Sequence, residues 1–186
     1  TTFCAGGSAV LTASGGGTGA TYQFLLNGTP VGTPGASFTA TLAGTYTVRA
    51  TVGTCTTVSA SGITLTVNAL PALPTTTDAA HCGTGAVTLT AFGAPTGGSY
   101  RWYTQATGGT PIAGATGASY TTPSLSTTTT YYVSVVGATA TGACEGPRAA
   151  VTATINPQPA PTIAASGATT FCAGGSAVLT ASGGGT

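Results

Sequence analysis

Residues 1–18 read TTFCAGGSAVLTASGGGT, and residues 169–186 read the same eighteen letters. Chance does not produce an identity of that length, so the chain carries one period of 168 residues and the opening of a second copy. The whole chain has 186 residues, enough for one large domain or two small ones. A weaker repeat inside the period decides for two. Ser8–Ala13 corresponds to Gly85–Ala91 with one residue of slippage, and Tyr22-Gln23-Phe24-Leu25 to Tyr100-Arg101-Trp102-Tyr103. Further on, Gly35–Thr39 matches Gly117–Thr121, and Thr45-Tyr46-Thr47-Val48 matches Thr130-Tyr131-Tyr132-Val133.

These matches recur about every ten residues, the spacing of short strands in a sandwich. The spacing predicts strands near 8–14, 20–26, 37–41, 44–51 and 62–67, and again near 85–92, 98–104, 118–122, 128–136 and 148–155. Threonine and valine favour strands, glycine and proline punctuate turns, and no stretch has the Leu, Glu, Lys, Gln or Arg content of an amphipathic helix. The fold class expected is all-β, with sandwich domains following one another like beads on a string. Asn27-Gly28 predicts a two-residue hairpin turn, because a type I′ turn needs two positive φ angles. Apolar alternation puts Val10, Tyr22, Phe24, Tyr46 and Val48 inward in the first half, and Val87, Leu89, Trp102, Tyr131 and Val133 in the second. Phe24, Tyr46, Trp102 and Tyr131 are the expected aromatic core.

Proline clusters mark the joints. Leu70–Pro74 separates the halves, and Asn156–Pro161 closes the second. Alternating prolines hold a segment extended, so the joints act as spacers. The expected domains are 1–69, whose first strand comes from a preceding repeat, 70–156, and a linker with the first strands of the next repeat over 157–186. Thr162–Ala165 is the candidate first strand of that next unit. In a second arrangement residues 162–168 complete the sheet of another molecule by strand addition; residues 169–186, which duplicate strands already present, argue against it.

Leu42–Val48 resembles the tyrosine-corner strand of immunoglobulin-like domains. More specifically, Phe3-Cys4, Val10–Ala13, Gly44–Val48 and Cys55 together resemble the bacterial immunoglobulin-like repeats of very large secreted and cell-surface proteins. Arg101-Trp102-Tyr103, Thr107-Gly108-Gly109 and Thr130–Val133 resemble a sister variety of that family. The resemblance implies sandwich modules in adhesive or gliding-associated proteins, often exported by the type IX route. It implies no particular ligand.

Cys172 is the periodic copy of Cys4, so one period holds Cys4, Cys55, Cys82 and Cys144. Four cysteines allow three pairings. In each half one cysteine precedes the second strand and another follows the tyrosine-corner strand. Repeat symmetry therefore selects Cys4–Cys55 and Cys82–Cys144, with Cys172 reserved for the next repeat. Loops of fifty to sixty residues closed in this way are worth about 4 kcal/mol each in the chain-entropy treatment. Disulfides imply an oxidising, extracellular or cell-surface compartment.

Composition excludes several function classes. Only Arg49, Arg101, Arg148, Asp78 and Glu145 carry formal charge, giving a net charge of +1. Three arginines cannot neutralise a row of phosphates, which argues against nucleic-acid binding. Mean hydropathy is +0.36, yet no run of 18 apolar residues suggests membrane insertion. Two carboxylates do not make an acid–base pair, and Asp78 and His81 stand beside a proline joint with no nucleophile elbow. Gly15–Ala20 matches GxGxxA but leads into a strand, so no helix N-terminus awaits a phosphate. Zinc lacks a CxxC pair and has one histidine, and calcium lacks a carboxylate cluster. No cofactor and no catalysis are expected. The residues open to a ligand are Tyr103, Tyr120 and Tyr132 with Arg101, which could stack on sugar rings if they face outward. The sequence thus favours a structural unit of an extracellular filament or stalk, partnered by neighbouring copies of the same repeat. A glycan- or surface-binding adhesin module is the alternative.

Overall fold

The computed structural model describes residues 1–138 and 143–183; the last three letters of the duplicated segment, 184–186, lie outside the described residues. Among the described residues every regular element is a strand. The first half holds β1 (Thr2–Cys4), β2 (Ala9–Thr12), β3 (Thr21–Leu26), β4 (Thr29–Pro30), β5 (Ser37–Ala40), β6 (Gly44–Val52), β7 (Cys55–Val58) and β8 (Ile63–Asn68). The second holds β9 (Thr75–Thr77), β10 (Ala79–Cys82), β11 (Thr88–Phe92), β12 (Ser99–Tyr103), β13 (Ser119–Thr121), β14 (Thr129–Val136) and β15 (Ala149–Asn156). β16 (Thr162–Ser166) and β17 (Val178–Ser182) form a two-stranded sheet of their own.

Each half is a two-sheet sandwich. In the first, β1-β8-β6-β3-β4, with β7 also paired to β6, faces β2-β5; in the second, β10-β15-β14-β12 faces β13-β11-β9. The registers coincide: Phe24 pairs with Val48 as Trp102 pairs with Val133, and Leu11 pairs with Phe38 as Leu89 pairs with Tyr120. The fold class is the all-β succession of sandwiches that the strand spacing implied, with the immunoglobulin-like character that the resemblance at Leu42–Val48 implied.

The hydrophobic effect acts through the aromatics. Trp102 has no exposed surface and hydrogen-bonds its indole N–H to the Gly117 carbonyl at 2.9 Å, so its one polar atom is satisfied. Tyr120 lies between Trp102 and Tyr131, with ring centroids 5.4 Å from each. In the first domain Phe24, Phe38 and Tyr46 stack in the same way around Leu11 and Leu65. The Tyr46 hydroxyl donates to the Leu42 carbonyl at 3.0 Å, closing the tyrosine corner. Asn27 (φ 49°) and Gly28 (φ 84°) form the β3–β4 turn, and the Asn27 side chain accepts a hydrogen bond from the Thr45 backbone N–H.

Val10 departs from expectation. It is 65% exposed, while its neighbour Leu11 is buried. A strand's faces alternate with period two, so the one-residue slip between the halves exchanges inside for outside. Leu11, not Val10, is the counterpart of Leu89.

Among the described residues β2 pairs only with β5, whereas β11 pairs with both β13 and β9. The absent neighbour of β2 has a likeness elsewhere in the chain. β17 repeats the sequence of β2, and β16 pairs with it antiparallel, Ile163 opposite Ala181 and Ala165 opposite Leu179. That is the register in which β9 meets β11, with Thr76 opposite Ala91.

Candidate functional site: the covalent junction between the two domains

The short strands β1 and β10 position the cysteines. Each runs parallel to the last strand of its domain, so that Cys4 stands opposite Asn68 and Cys82 opposite Asn156. The following amides repeat the match: Ala5 N–H donates to Asn68 O at 2.8 Å, and Gly83 N–H to Asn156 O at 2.9 Å. Both cysteines therefore lie at the end of the sandwich from which the chain leaves for the next joint.

The other two occupy the opposite end. Val52 pairs with Cys55 in the β6–β7 hairpin, and Gly137 N–H donates to Cys144 O at 2.9 Å in the loop between β14 and β15. Since Tyr46 and Tyr131 are equivalent, Val52 and Gly137 are too, so Cys55 and Cys144 hold one structural position. Following the register along β6 from the level of Asn68 to Val52 covers about eleven residues, or roughly 36 Å at strand rise.

The expected bridges Cys4–Cys55 and Cys82–Cys144 are therefore not made. Each would have to span the length of a sandwich, while bridged cysteines have Cα atoms only about 4.4–6.8 Å apart. Instead Cys4 is bonded to Cys144, 140 residues away, with Cα atoms 5.6 Å apart. The exit end of the first domain is stapled to the entry end of the second. Cys55, Cys82 and Cys172 are free and exposed. The backbone closes in at the same place, where Pro71 of the joint packs against Gly146 and Gly137. A Cβ on Gly146 would collide with Pro71 backbone, so a bulkier residue there would force the joint apart.

Three of the five charged residues brace the loop that carries Cys144. Glu145 accepts hydrogen bonds from Arg101 Nη1 at 2.7 Å, Tyr103 Oη at 2.5 Å and Ser134 Oγ at 2.6 Å. Arg148 lies over the Tyr103 ring, 3.2 Å from its centroid, and donates to the Gln105 and Gly108 carbonyls at 2.8 Å each. Partial burial works to raise the Glu145 pKa, but hydrogen bonds from Ser134, Tyr103 and Arg101 outweigh it and hold the carboxyl below its ordinary value. Burial, followed by the bond to Glu145, pushes the Tyr103 phenol up. The hydrogen bond to Glu145 also raises Arg101. The network thus fixes Glu145 as carboxylate and Tyr103 as neutral phenol, a charge-assisted clamp next to the disulfide.

This arrangement corrects the proposed ligand face. Tyr103 does lie on the opposite side of β12 from Trp102, but it is only 3% exposed because Arg148 and the loop after β12 cover it. Tyr120 is half-buried, its ring against Trp102 and Tyr131 of the core. Tyr132 is half-buried between Tyr103 and Ala150 on the neighbouring strands, and Arg101 is committed to Glu145. No aromatic platform for a sugar ring is assembled from these residues. Asp78 accepts from the Thr152 N–H at 2.8 Å, tying the β9–β10 crossing to β15, and His81 Nδ1 lies 3.2 Å from Gly83 O. Among the described residues neither is hydrogen-bonded to a serine, as a triad would require. Among the described residues no three His, Cys, Asp or Glu gather as metal ligands, and no helix is long and apolar enough to cross a membrane.

Residues 71–157 match the family described as "Ig-like domain CHU_C associated". Over these residues the second domain is similar to this bacterial immunoglobulin-like family. The first domain repeats its strand order and registers, so the chain presents two immunoglobulin-like units in succession. Similar solved structures include the Sidekick-1 immunoglobulin domains 1–4, at 13% identity over 97% of this chain and 54% of that one, TM-score 0.31. The chain thus spans about half of that four-domain fragment. A chimeric titin Z1Z2 is similar at 16% identity over 85% of this chain and 92% of that one, TM-score 0.32. Fibronectin(III)-like modules of Clostridium thermocellum CbhA are similar at 13% identity, 84% and 89% coverage, TM-score 0.41. No curated protein matches the sequence.

Proposed function

We propose that the chain is a non-catalytic structural repeat unit of a long extracellular or cell-surface filament or stalk. The observation that carries this reading is the Cys4–Cys144 bridge, which joins one domain to the next rather than closing a loop within either. A staple across a joint removes the hinge freedom that separate immunoglobulin-like domains otherwise have. Its use is to transmit force and hold direction, and it requires an oxidising compartment. The family to which the second domain is similar suggests the same surface or secreted setting.

Three further observations support a tandem array. The opening eighteen residues recur after 168, the joints are proline-rich, and β16 meets the copy of β2 in the register that β9 uses with β11. In the array the domains run over 1–69 and 70–156, and 157–186 is a linker with the first two strands of the next copy. β16 supplies there the neighbour that β2 lacks. Neighbouring copies are then the principal partners, and glycan binding loses support with Tyr103 buried and Tyr120 engaged against Trp102 and Tyr131.

The mass of the native polypeptide under denaturing, reducing conditions tests the proposal. A mass many times 17.6 kDa is expected. A mass near 17.6 kDa overturns it and favours chaining by strand addition.

A further inference from the structure

The Cys4–Cys144 bridge uses one exit-end cysteine and one entry-end cysteine. The chain retains another of each. Cys82 is the exit-end cysteine of the second domain, in the register of Cys4, and Cys55 is the entry-end cysteine of the first, in the register of Cys144. Both are exposed and unbridged. Within one chain they stand at the far ends of different domains. From one copy to the next they do not.

We propose that Cys82 of each copy is disulfide-bonded to Cys55 of the following copy, so that every joint of the array is stapled by the same kind of bridge. The inference rests on the tandem reading above and adds to it the partner of each free thiol. Spacing along the chain agrees. Adding the 168-residue period to position 55 and subtracting 82 gives a separation of 141 residues, against 140 for the bridge already formed. The joints agree as well. Six residues separate β8 from β9 and five separate β15 from β16, so the next domain is held at nearly the same reach. The next domain also starts in the same register, since β16 meets β17 as β9 meets β11. Next to Cys82, the exit end carries an open cleft of about 530 Å³ lined by Gly83, Thr127, Ile155 and Pro157. Cys172, the copy of Cys4, bonds in turn to Cys144 of its own copy.

Formation needs an oxidant of the small-molecule disulfide class. The Cys82 thiolate attacks one sulfur of that disulfide and releases one thiol. The thiolate of Cys55 in the next copy then attacks the Cys82 sulfur and releases the second. Two protons and two electrons leave the protein, and the oxidant becomes two thiols.

The test continues the full chain past Thr186 with residues 19–186 of its own sequence, which turns the copy already present into the head of a complete second period. This chain has nine cysteines, five from the original and four from the extension. After oxidation with glutathione disulfide, free thiols are counted in denaturant on the monomer fraction. Three bridges leave three thiols, namely the first Cys55 and the last Cys82 and Cys172. If only the two Cys4–Cys144-type bridges form, five remain. Cys82→Ser in the first copy separates the cases by sign: the count rises from three to four if the proposal holds, and falls from five to four if it does not. A count of five in the unsubstituted chain overturns the proposal and leaves the array itself standing, because a native mass of many periods is measured independently.

Discussion

Removing the bridge between the domains should weaken both of them, although neither core contains it. The perturbation is Cys4→Ser with Cys144→Ala, the alanine chosen because Cys144 is only 1% exposed and a hydroxyl there would be buried. Cys4 pairs with Asn68, so with the first domain folded the bridge ties Cys144 to the start of the joint. Unfolding the second domain then occurs inside a closed loop of 76 residues, from Asn68 to Cys144. Unfolding the first domain against a folded second closes a loop of 67 residues, from Cys4 to Pro71, which packs beside Gly146. Both loops give about 4.5 kcal/mol in the chain-entropy treatment, and about 2–4 kcal/mol is the usual measured range. For domains of this size a loss of 2 kcal/mol lowers the thermal midpoint by roughly 8–16 °C. The assay is thermal and urea unfolding with two probes. Trp102 is the only tryptophan, so its fluorescence reports the second domain, while backbone amide NMR signals of β3 and β6 report the first. Parallel losses in both are expected. Unchanged midpoints in both would refute the bridge as a coupling element, and a loss confined to one would refute the two-loop argument.

Trp102→Ala should cost about 3–5 kcal/mol in the second domain, because the side chain is wholly buried and its indole bond to Gly117 is lost; urea midpoints followed by far-ultraviolet circular dichroism measure it. Tyr46→Phe should cost about 1 kcal/mol in the first domain by removing the bond to Leu42 O, read from the same titration. Glu145 has a pKa below its ordinary value in the folded state, so its stabilisation is complete above the ordinary glutamate pKa and is lost as pH falls through the depressed one. Second-domain stability should therefore fall on acidification over that range, and Glu145→Gln should flatten the fall, as measured by Trp102 fluorescence from pH 7 to pH 2. Tyr103 shifts the other way, so its contribution holds below the ordinary tyrosine pKa and is lost as pH rises through the elevated one.

Much of the fold was legible because a period of two leaves a direct mark on sequence. The ten strands expected from alternation and turn residues coincide with β2, β3, β5, β6, β8, β11, β12, β13, β14 and β15 to within a few residues. The strands missed, β1, β4, β7, β9 and β10, have two to four residues, too few for a period to show. That omission carried over to the site. Without β1 and β10 running parallel to β8 and β15, nothing in the sequence says at which end of the sandwich Cys4 and Cys82 lie, and symmetry alone chose the wrong pairs. Tyr103 shows a related limit. Alternation placed it on the outer face of β12, but it could not show that Arg148, from the far side of the 145–148 loop, would close over it.

The chain's own letters specify the repeat, the all-β class, most of the strands, the two-residue turn at Asn27-Gly28 and four aromatic residues of the cores, Phe24, Tyr46, Trp102 and Tyr131. These are local or periodic properties, set by side-chain alternation and backbone preference within a few residues. The packing of distant segments decides which cysteines meet, that Tyr120 lies against Trp102 and Tyr131, and that Arg101 pairs with Glu145. Those outcomes depend on which ends of two sandwiches abut across a six-residue joint, and contacts made by residues 140 positions apart leave no periodic trace in the chain.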